Sequence, residues 1–213
     1  MEGIIGKWLI NASFVSALVS LVFYGLAARE DELKKIKWAH FFFTLKGLFL
    51  LMASVVLVKL LFEHQFQYYY VFNYTSLDLA PKYLWSAFYG GQEGSFMLWI
   101  LFSWVSGFML IKWTRDPYRA PVMFFLVLTQ VFLISMIVGW KWNAFSLGAS
   151  PFRTIAEEMP NAPFIQANPV FVPADGSGLN DLLKSPWMMI HPPVLFIGFA
   201  MMTIPYCFAM AAL

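Results

Sequence analysis

A histidine followed directly by two prolines is the part of the sequence best suited to chemistry. The stretch 187–199 reads WMMIHPPVLFIGF, and its one ionisable side chain is that of His191. A neutral imidazole can bind iron or a divalent metal, and it titrates near neutral pH. Proline is tolerated in the first turn of a helix, whereas the residue before a proline is biased away from helical angles. The pattern therefore predicts that Pro192 and Pro193 begin a helix and that His191 stands just above it in an extended conformation. The alternative is an interfacial histidine that only hydrogen-bonds to a loop.

A glycine-rich stretch, YGGQEGSFMLWI at 89–100, is the second candidate. Glycine lets a backbone turn tightly or approach a ligand closely. Ser95 is predicted to cap a helix, and the Glu93 carboxylate suits the positive end of a helix. A capped helix start beneath a turn explains the same residues without any ligand. The glycines concerned are Gly90, Gly91 and Gly94.

The segment 141–187 is the third candidate, since a connection this long is more often functional than a plain linker. It contains SPFRTI, six prolines and GLNDLL, and LNDLL is predicted to form a short helical turn. Such a segment can bind a partner or cover a site. His64 is a further candidate ligand that could approach the same pocket as His191.

Composition excludes several classes of function. The chain has one cysteine, Cys207, which rules out a disulfide framework and a cysteine-based metal site. The net charge is +2, and no basic run is interleaved with aromatic residues on a polar background, so we expect no nucleic-acid partner.

The elements that position these residues are membrane-spanning helices. The chain is 60% hydrophobic and 12% charged, unlike a soluble domain. Five apolar segments approach the roughly 20 residues that cross a bilayer as a helix. We therefore predict an all-α, polytopic transmembrane bundle that forms a single domain over 1–213 and contacts membrane lipid. The predicted spans are about 8–28, 39–62, 95–111, 121–140 and 188–213, and the long loops are 63–94 and 141–187.

Basic residues predict the orientation of the bundle. The two short loops, REDELKKIKW at 29–38 and KWTRDPYR at 112–119, hold half of the 14 lysines and arginines. These loops are therefore predicted to be cytoplasmic. The N-terminus and both long loops are then outside, on the same side as His191 and the glycine-rich stretch. Lys46 lies within the second span, and its stem is interpreted as reaching back to the interface; a buried functional charge is the alternative.

The three stretches occur together, in this order, in one protein family. The chain resembles the N-terminal part of CcmF-type cytochrome c maturation proteins, which include the NrfE-type haem lyase subunits. The resemblance rests on YGGQEGSFMLWI, SPFRT, DGSGLNDLLKSPWMMIHPPVLFIGF and the final FAMAAL, and it runs through essentially the whole chain. The family commonly has Trp where this chain has Tyr89. Its Trp-rich segment and further histidines would lie past Leu213, so we expect a fragment or one half of a split protein.

The resemblance implies a membrane subunit of a haem lyase in the bacterial inner membrane, with its site facing the periplasm. Such a subunit receives b-type haem transiently from a haem-chaperone protein and works with other cytochrome c maturation subunits. The complex joins the haem vinyl groups to the CxxCH thiols of apocytochrome c. The histidine before the Pro-Pro pair is an axial haem ligand, which corresponds to His191. The catalytic residues stay unassigned, and this chain is not expected to be active alone.

Two other classes of function remain open at the level of sequence. A channel or transporter fragment would use Glu93 and Lys46 as pathway charges. A structural subunit would act as a scaffold in a membrane complex.

Overall fold

Long apolar runs form five long helices in the part of the chain that the structure describes, and shorter elements lie between some of them. The computed structural model describes residues 1–30, 33–143, 145–168 and 170–213. The five long helices are α1 (Glu2–Glu30), α2 (Leu33–Phe62), α5 (Gln92–Trp113), α6 (Arg119–Val138) and α9 (Pro186–Ala212). The short helices are α3 (Tyr69–Tyr74), α4 (Pro81–Phe88), α7 (Ile155–Glu158) and α8 (Pro163–Ala167), with a 3-10 helix at Asp181–Lys184.

The five long helices are long and apolar enough to cross a membrane, and they lie at the five predicted places. The predicted helical membrane bundle is therefore confirmed. Each of α1, α2 and α5 extends beyond its predicted bounds. The prediction followed the apolar residues alone, whereas the helical hydrogen bonds continue into the residues that flank each apolar stretch. The helix α9 begins at Pro186, ahead of the predicted 188. Among the six prolines of the long segment, Pro169 lies outside the described residues.

The helices alternate in direction, so that all long connections meet at one end. α1 packs against α2 and α6, and α9 packs against α5 and α6. The ends of α2 and α6 and the starts of α1, α5 and α9 share the end that carries both long connecting segments; we call it the motif end. The helix α9 is the least covered span: 11% of its most apolar window is buried, against 39–50% in the other four.

Lys46 lies in the core between α2 and α6, and its exposed fraction is 0%. Its Nζ donates a hydrogen bond to Oε1 of Gln130 and lies 4.7 Å from the ring centroid of Phe43. The prediction that its stem reaches back to the interface is therefore wrong. The physical reason is that α6 supplies an amide acceptor within reach of the ammonium group, so the side chain need not extend to water.

Candidate functional site

The segment between α6 and α9 is built from short elements rather than from irregular chain alone. Strands β1 (Trp140–Trp142) and β2 (Phe145–Leu147) pair as an antiparallel hairpin with Trp140 opposite Leu147. Helices α7 and α8 follow, and the predicted turn in LNDLL is the 3-10 helix Asp181–Lys184, capped by the Asn180 side chain. This segment therefore has a defined fold over the motif end.

The glycine-rich stretch forms the turn between α4 and α5. Gly91 is the N-cap of α5, which begins at Gln92. The prediction that Ser95 caps this helix is wrong, because Ser95 lies a full turn inside it. Its Oγ instead donates a hydrogen bond to the Tyr89 carbonyl at 2.9 Å and thereby ties α5 to the preceding turn.

A buried tyrosine explains why this turn is rich in glycine. The hydroxyl of Tyr70 donates to the Phe88 carbonyl at 2.8 Å and accepts from the Gly91 N–H at 3.1 Å. Burial raises the pKa of Tyr70 well above its ordinary value, so this hydroxyl stays protonated and can donate. A Cβ atom on Gly94 would lie 1.7 Å from the Phe88 carbonyl oxygen. The glycines here allow the Tyr70 side chain and the Phe88 carbonyl to approach the backbone of α5 closely.

Glu93 forms an ion pair with the SPFRT stretch. Its Oε1 lies 3.1 Å from an Nη of Arg153, and these side chains are 14% and 15% exposed. Arg153 also pairs with Glu158 at the end of α7. Glu93 lies in the first turn of α5, near the positive end of the helix as predicted, although the helix begins at Gln92 rather than at the predicted 95. Its partner is a guanidinium group as well as the helix end.

The DGSGLND stretch packs against the second half of α3 and the residue that caps its end. The N–H groups of Ser177 and Gly178 donate to the carbonyls of Phe72 and Thr75 at 2.7 and 3.0 Å. Leu179 is buried in the same cluster as Tyr70 and Phe88. The structure thus brings the three sequence stretches together at the motif end.

His191 lies inside α9, in its second turn, and its side chain is exposed. The prediction that Pro192 and Pro193 begin the helix, with His191 extended above it, is wrong. Pro186 already occupies the first helical position, and the Met189 N–H donates to the Ser185 carbonyl at 3.1 Å. Within the described residues, the His191 imidazole has no hydrogen-bond partner, and no cluster of three metal-binding side chains is present.

An exposed apolar stripe surrounds His191 on α9. Residues three or four apart share one face of a helix, and these neighbours are Trp187, Val194 and Leu195. Trp187 is 81% exposed, and Val194 and Leu195 are also exposed. One turn further on, Gly198 has no heavy atom, apart from the backbone of its own helix, within 4 Å of the place where a Cβ would stand. The imidazole therefore projects from a broad, uncrowded apolar surface.

His64 lies two residues after the end of α2 and helps to terminate this helix. It adopts a left-handed conformation with φ of 50°. The His64 N–H donates to the Leu61 carbonyl at 3.3 Å, and the Gln65 N–H donates to the Leu60 carbonyl at 3.1 Å. This is the Schellman pattern of helix termination. Neither a hydrogen bond nor a ring contact joins His64 to His191 in the described part of the chain.

Sequence reasoning missed the roles of Tyr70 and Arg153. Tyr70 bonds Phe88 and Gly91, and Arg153 bonds Glu93, 60 positions earlier. The available signals were the aromatic-rich stretch at 68–74 and the SPFRTI stretch that contains Arg153, and neither one identifies a partner.

The geometry defines a polytopic helical membrane protein whose three distinctive stretches meet at one end of the bundle. The chain belongs to the family described as cytochrome C assembly protein, whose model matches residues 89–213. The matched part begins at Tyr89 and includes the glycine-rich stretch, Arg153 and His191. The predicted resemblance to CcmF-type cytochrome c maturation proteins is thereby confirmed.

Individual relatives agree with this assignment. The cytochrome c-type biogenesis protein CcmF of Pseudomonas fluorescens is 33% identical over 165 residues, which cover 78% of this chain and 22% of the relative. The Escherichia coli K12 CcmF is 28% identical over 165 residues, covering 76% and 22%. A solved structure of the cytochrome c haem lyase CcmF matches all of this chain and 30% of its own with a TM-score of 0.74 at 21% identity, which shows a shared fold. The chain spans about a fifth of the length of these curated relatives.

Proposed function

We propose that this chain is a membrane subunit of a haem lyase and that His191 is an axial ligand of the haem iron during cytochrome c maturation. The observation that carries the proposal is an exposed imidazole on an apolar stripe, at the end of the bundle where the family's motifs meet. Haem is the substrate of this reaction, and its iron commonly takes histidine as an axial ligand.

The residues around His191 suit a flat apolar ligand. An imidazole without a protein partner has a nitrogen free to bind iron. The exposed Trp187, Val194 and Leu195 offer apolar contact to a porphyrin face. Gly198, two turns after His191, leaves open space beside it. Because the protein supplies one ligand from one side, the rim of the macrocycle remains accessible.

The other motif residues act by holding α9 and the connecting segments in place. Glu93 and Arg153 join the start of α5 to the segment before α7. Gly91 and Gly94 admit Tyr70 between α4 and α5. None of them touches His191 through a hydrogen bond, so their proposed part is to build the frame from which the ligand projects.

Location and partners follow from the same proposal. We place the motif end at the periplasmic face of the bacterial inner membrane, where b-type haem would arrive from a haem-chaperone protein. Apocytochrome c and other maturation subunits would bind at this end. Support comes from the curated relatives, whose names state cytochrome c-type biogenesis and which come from bacteria.

A transport pathway through Glu93 and Lys46 finds no support in the described residues. Glu93 pairs with Arg153 at the motif end, whereas Lys46 pairs with Gln130 in the core between α2 and α6. Each charge has a local partner, and family membership favours cytochrome c assembly over transport.

The test is the absorption spectrum of the purified protein that contains this chain, beside its His191→Ala variant. We expect the Soret band to be lost or shifted in the variant, because the iron loses an axial ligand. The matched control is His64→Asn, since asparagine tolerates the left-handed conformation found there. A His191→Ala protein that is folded and has an unaltered Soret band would overturn the assignment.

A further inference from the structure

The two prolines after His191 leave backbone carbonyls of α9 without their helical donors. In an α-helix each carbonyl accepts from the N–H four residues later. Proline has no N–H, so Pro192 and Pro193 cannot bond the carbonyls of Met188 and Met189. An unpaired carbonyl inside a protein is costly, so a donor from elsewhere is expected.

Tyr89 supplies that donor to Met189. The Tyr89 hydroxyl donates a hydrogen bond to the Met189 carbonyl at 2.6 Å. The Oγ of Ser86 lies 3.3 Å from the same hydroxyl oxygen. Since a tyrosine hydroxyl carries one proton, Ser86 is the donor in that second contact. A short chain of hydrogen bonds therefore runs from α4 through Tyr89 to α9.

Tyr89 is itself held firmly. Its backbone N–H donates to the Ser86 carbonyl, and its carbonyl accepts from the Ser95 hydroxyl of α5. Its ring packs against the buried apolar cluster at the motif end. The acceptor, Met189, lies two residues before His191. The contact thus joins the turn of α9 that carries the imidazole to the turn between α4 and α5.

We infer that Tyr89 is a positioning residue for His191, acting through the carbonyl that Pro193 leaves free. This inference rests on the proposed role of His191 as a haem ligand. The glycine-rich stretch and the His-Pro-Pro stretch then act together. Pro193 leaves the Met189 carbonyl without a helical donor, and Tyr89, which precedes the glycines, donates a hydrogen bond to it.

A double-mutant cycle tests the inference without haem. Tyr89→Phe removes the donor, and Pro193→Ala restores an N–H that can pair with the Met189 carbonyl. In the purified chain we expect Tyr89→Phe to accelerate amide exchange over residues 187–195 about fivefold, the factor that corresponds to losing one typical hydrogen bond. In the Pro193→Ala background, Tyr89→Phe should accelerate amide exchange over residues 187–195 only roughly twofold. The reason is that the N–H of the new alanine then donates to the Met189 carbonyl.

The matched control is Tyr83→Phe, because Tyr83 is the neighbouring tyrosine in α4 and its hydroxyl has no hydrogen-bond partner among the described residues. That change should leave the exchange of 187–195 unaltered. Equal acceleration by Tyr89→Phe with and without Pro193 would overturn the inference, and so would no acceleration at all.

A haem readout separates this inference from the proposed function. In the haem-loaded protein Tyr89→Phe should shift the Soret band or the midpoint potential, whereas Tyr83→Phe should not. Faster exchange with an unshifted haem spectrum would overturn positioning of the ligand and leave a purely structural contact. If His191→Ala leaves the spectrum unaltered, the proposed function fails, whatever the exchange measurement shows.

Discussion

At the scale of the residue, two helical glycines differ in the space around them: Gly94 is tightly enclosed and Gly198 is not. Gly94, in the first turn of α5, is enclosed by the Phe88 carbonyl oxygen and the Tyr70 hydroxyl, which would lie 1.7 and 2.4 Å from an added Cβ. Gly198, in α9, has nothing within 4 Å of that position. The same chemical change should therefore have opposite effects at the two sites.

We predict that Gly94→Ala destabilises the purified chain by more than the roughly 1–3 kcal/mol of an ordinary overpacked side chain, because the obstacle includes backbone. Gly198→Ala should stabilise it by about 0.5–1 kcal/mol, since alanine reduces the freedom of the unfolded chain. Thermal unfolding in one detergent measures both. A Gly94→Ala protein as stable as the parent would contradict the close approach of Tyr70 and Phe88.

At the scale of the element, one largely buried ion pair fastens the start of α5 to the segment that precedes α7. The Glu93–Arg153 pair is mostly excluded from water, whereas the Asp181–Lys184 pair of the 3-10 helix is exposed, with Asp181 at 93%. A pair removed from solvent loses more when one partner is neutralised, because the other charge remains buried. Exposed pairs contribute little.

We predict that Glu93→Gln costs about 2 kcal/mol, which is a fall in Tm of roughly 4–8 °C for a chain of this size. The exposed control Asp181→Asn should leave Tm nearly unaltered. Under the proposed function, maturation of cytochrome c should fall in the Glu93→Gln strain in proportion to the amount of folded protein. Similar Tm values for the two variants would show that the Glu93–Arg153 pair does not fasten these elements.

At the scale of the whole molecule, the alternating helices place both long connecting segments at one end. The opposite end carries the two short basic connections, around Lys35 and Arg115. The bundle fixes which segments share a side, and the excess of lysine and arginine predicts that the short connections are cytoplasmic.

Reporter fusions test the orientation. Fusions at Lys35 and Arg115 should report the cytoplasm, and a matched fusion at Asn180, in the long segment before α9, should report the periplasm. The pair of a periplasmic phosphatase and a cytoplasmic fluorescent reporter gives opposite signals at each site. A periplasmic signal at Lys35 or Arg115 would contradict the predicted orientation.

The sequence by itself determined the number, approximate bounds and alternation of the five long helices. Each apolar run is long enough to cross a bilayer, and lipid leaves the backbone no alternative but to pair within a helix. The motifs could also be recognised from the sequence, because Gly-Gly-x-Glu-Gly and His-Pro-Pro are local patterns. The turn at Asp181–Lys184 was predictable for the same reason, whereas α5 begins three residues before the predicted position.

Only the tertiary structure decided what the side chains at these places contact. Lys46 finds Gln130 from another helix, and Glu93 finds Arg153, 60 residues away. The position of His191 within α9 was not predictable either. A Pro-Pro pair usually marks a helix start. Here Pro186 begins the helix, and the hydroxyl of Tyr89 donates a hydrogen bond to the carbonyl that Pro193 leaves without a helical donor. Such pairings depend on how helices pack, because residues far apart in sequence meet only when the bundle is assembled.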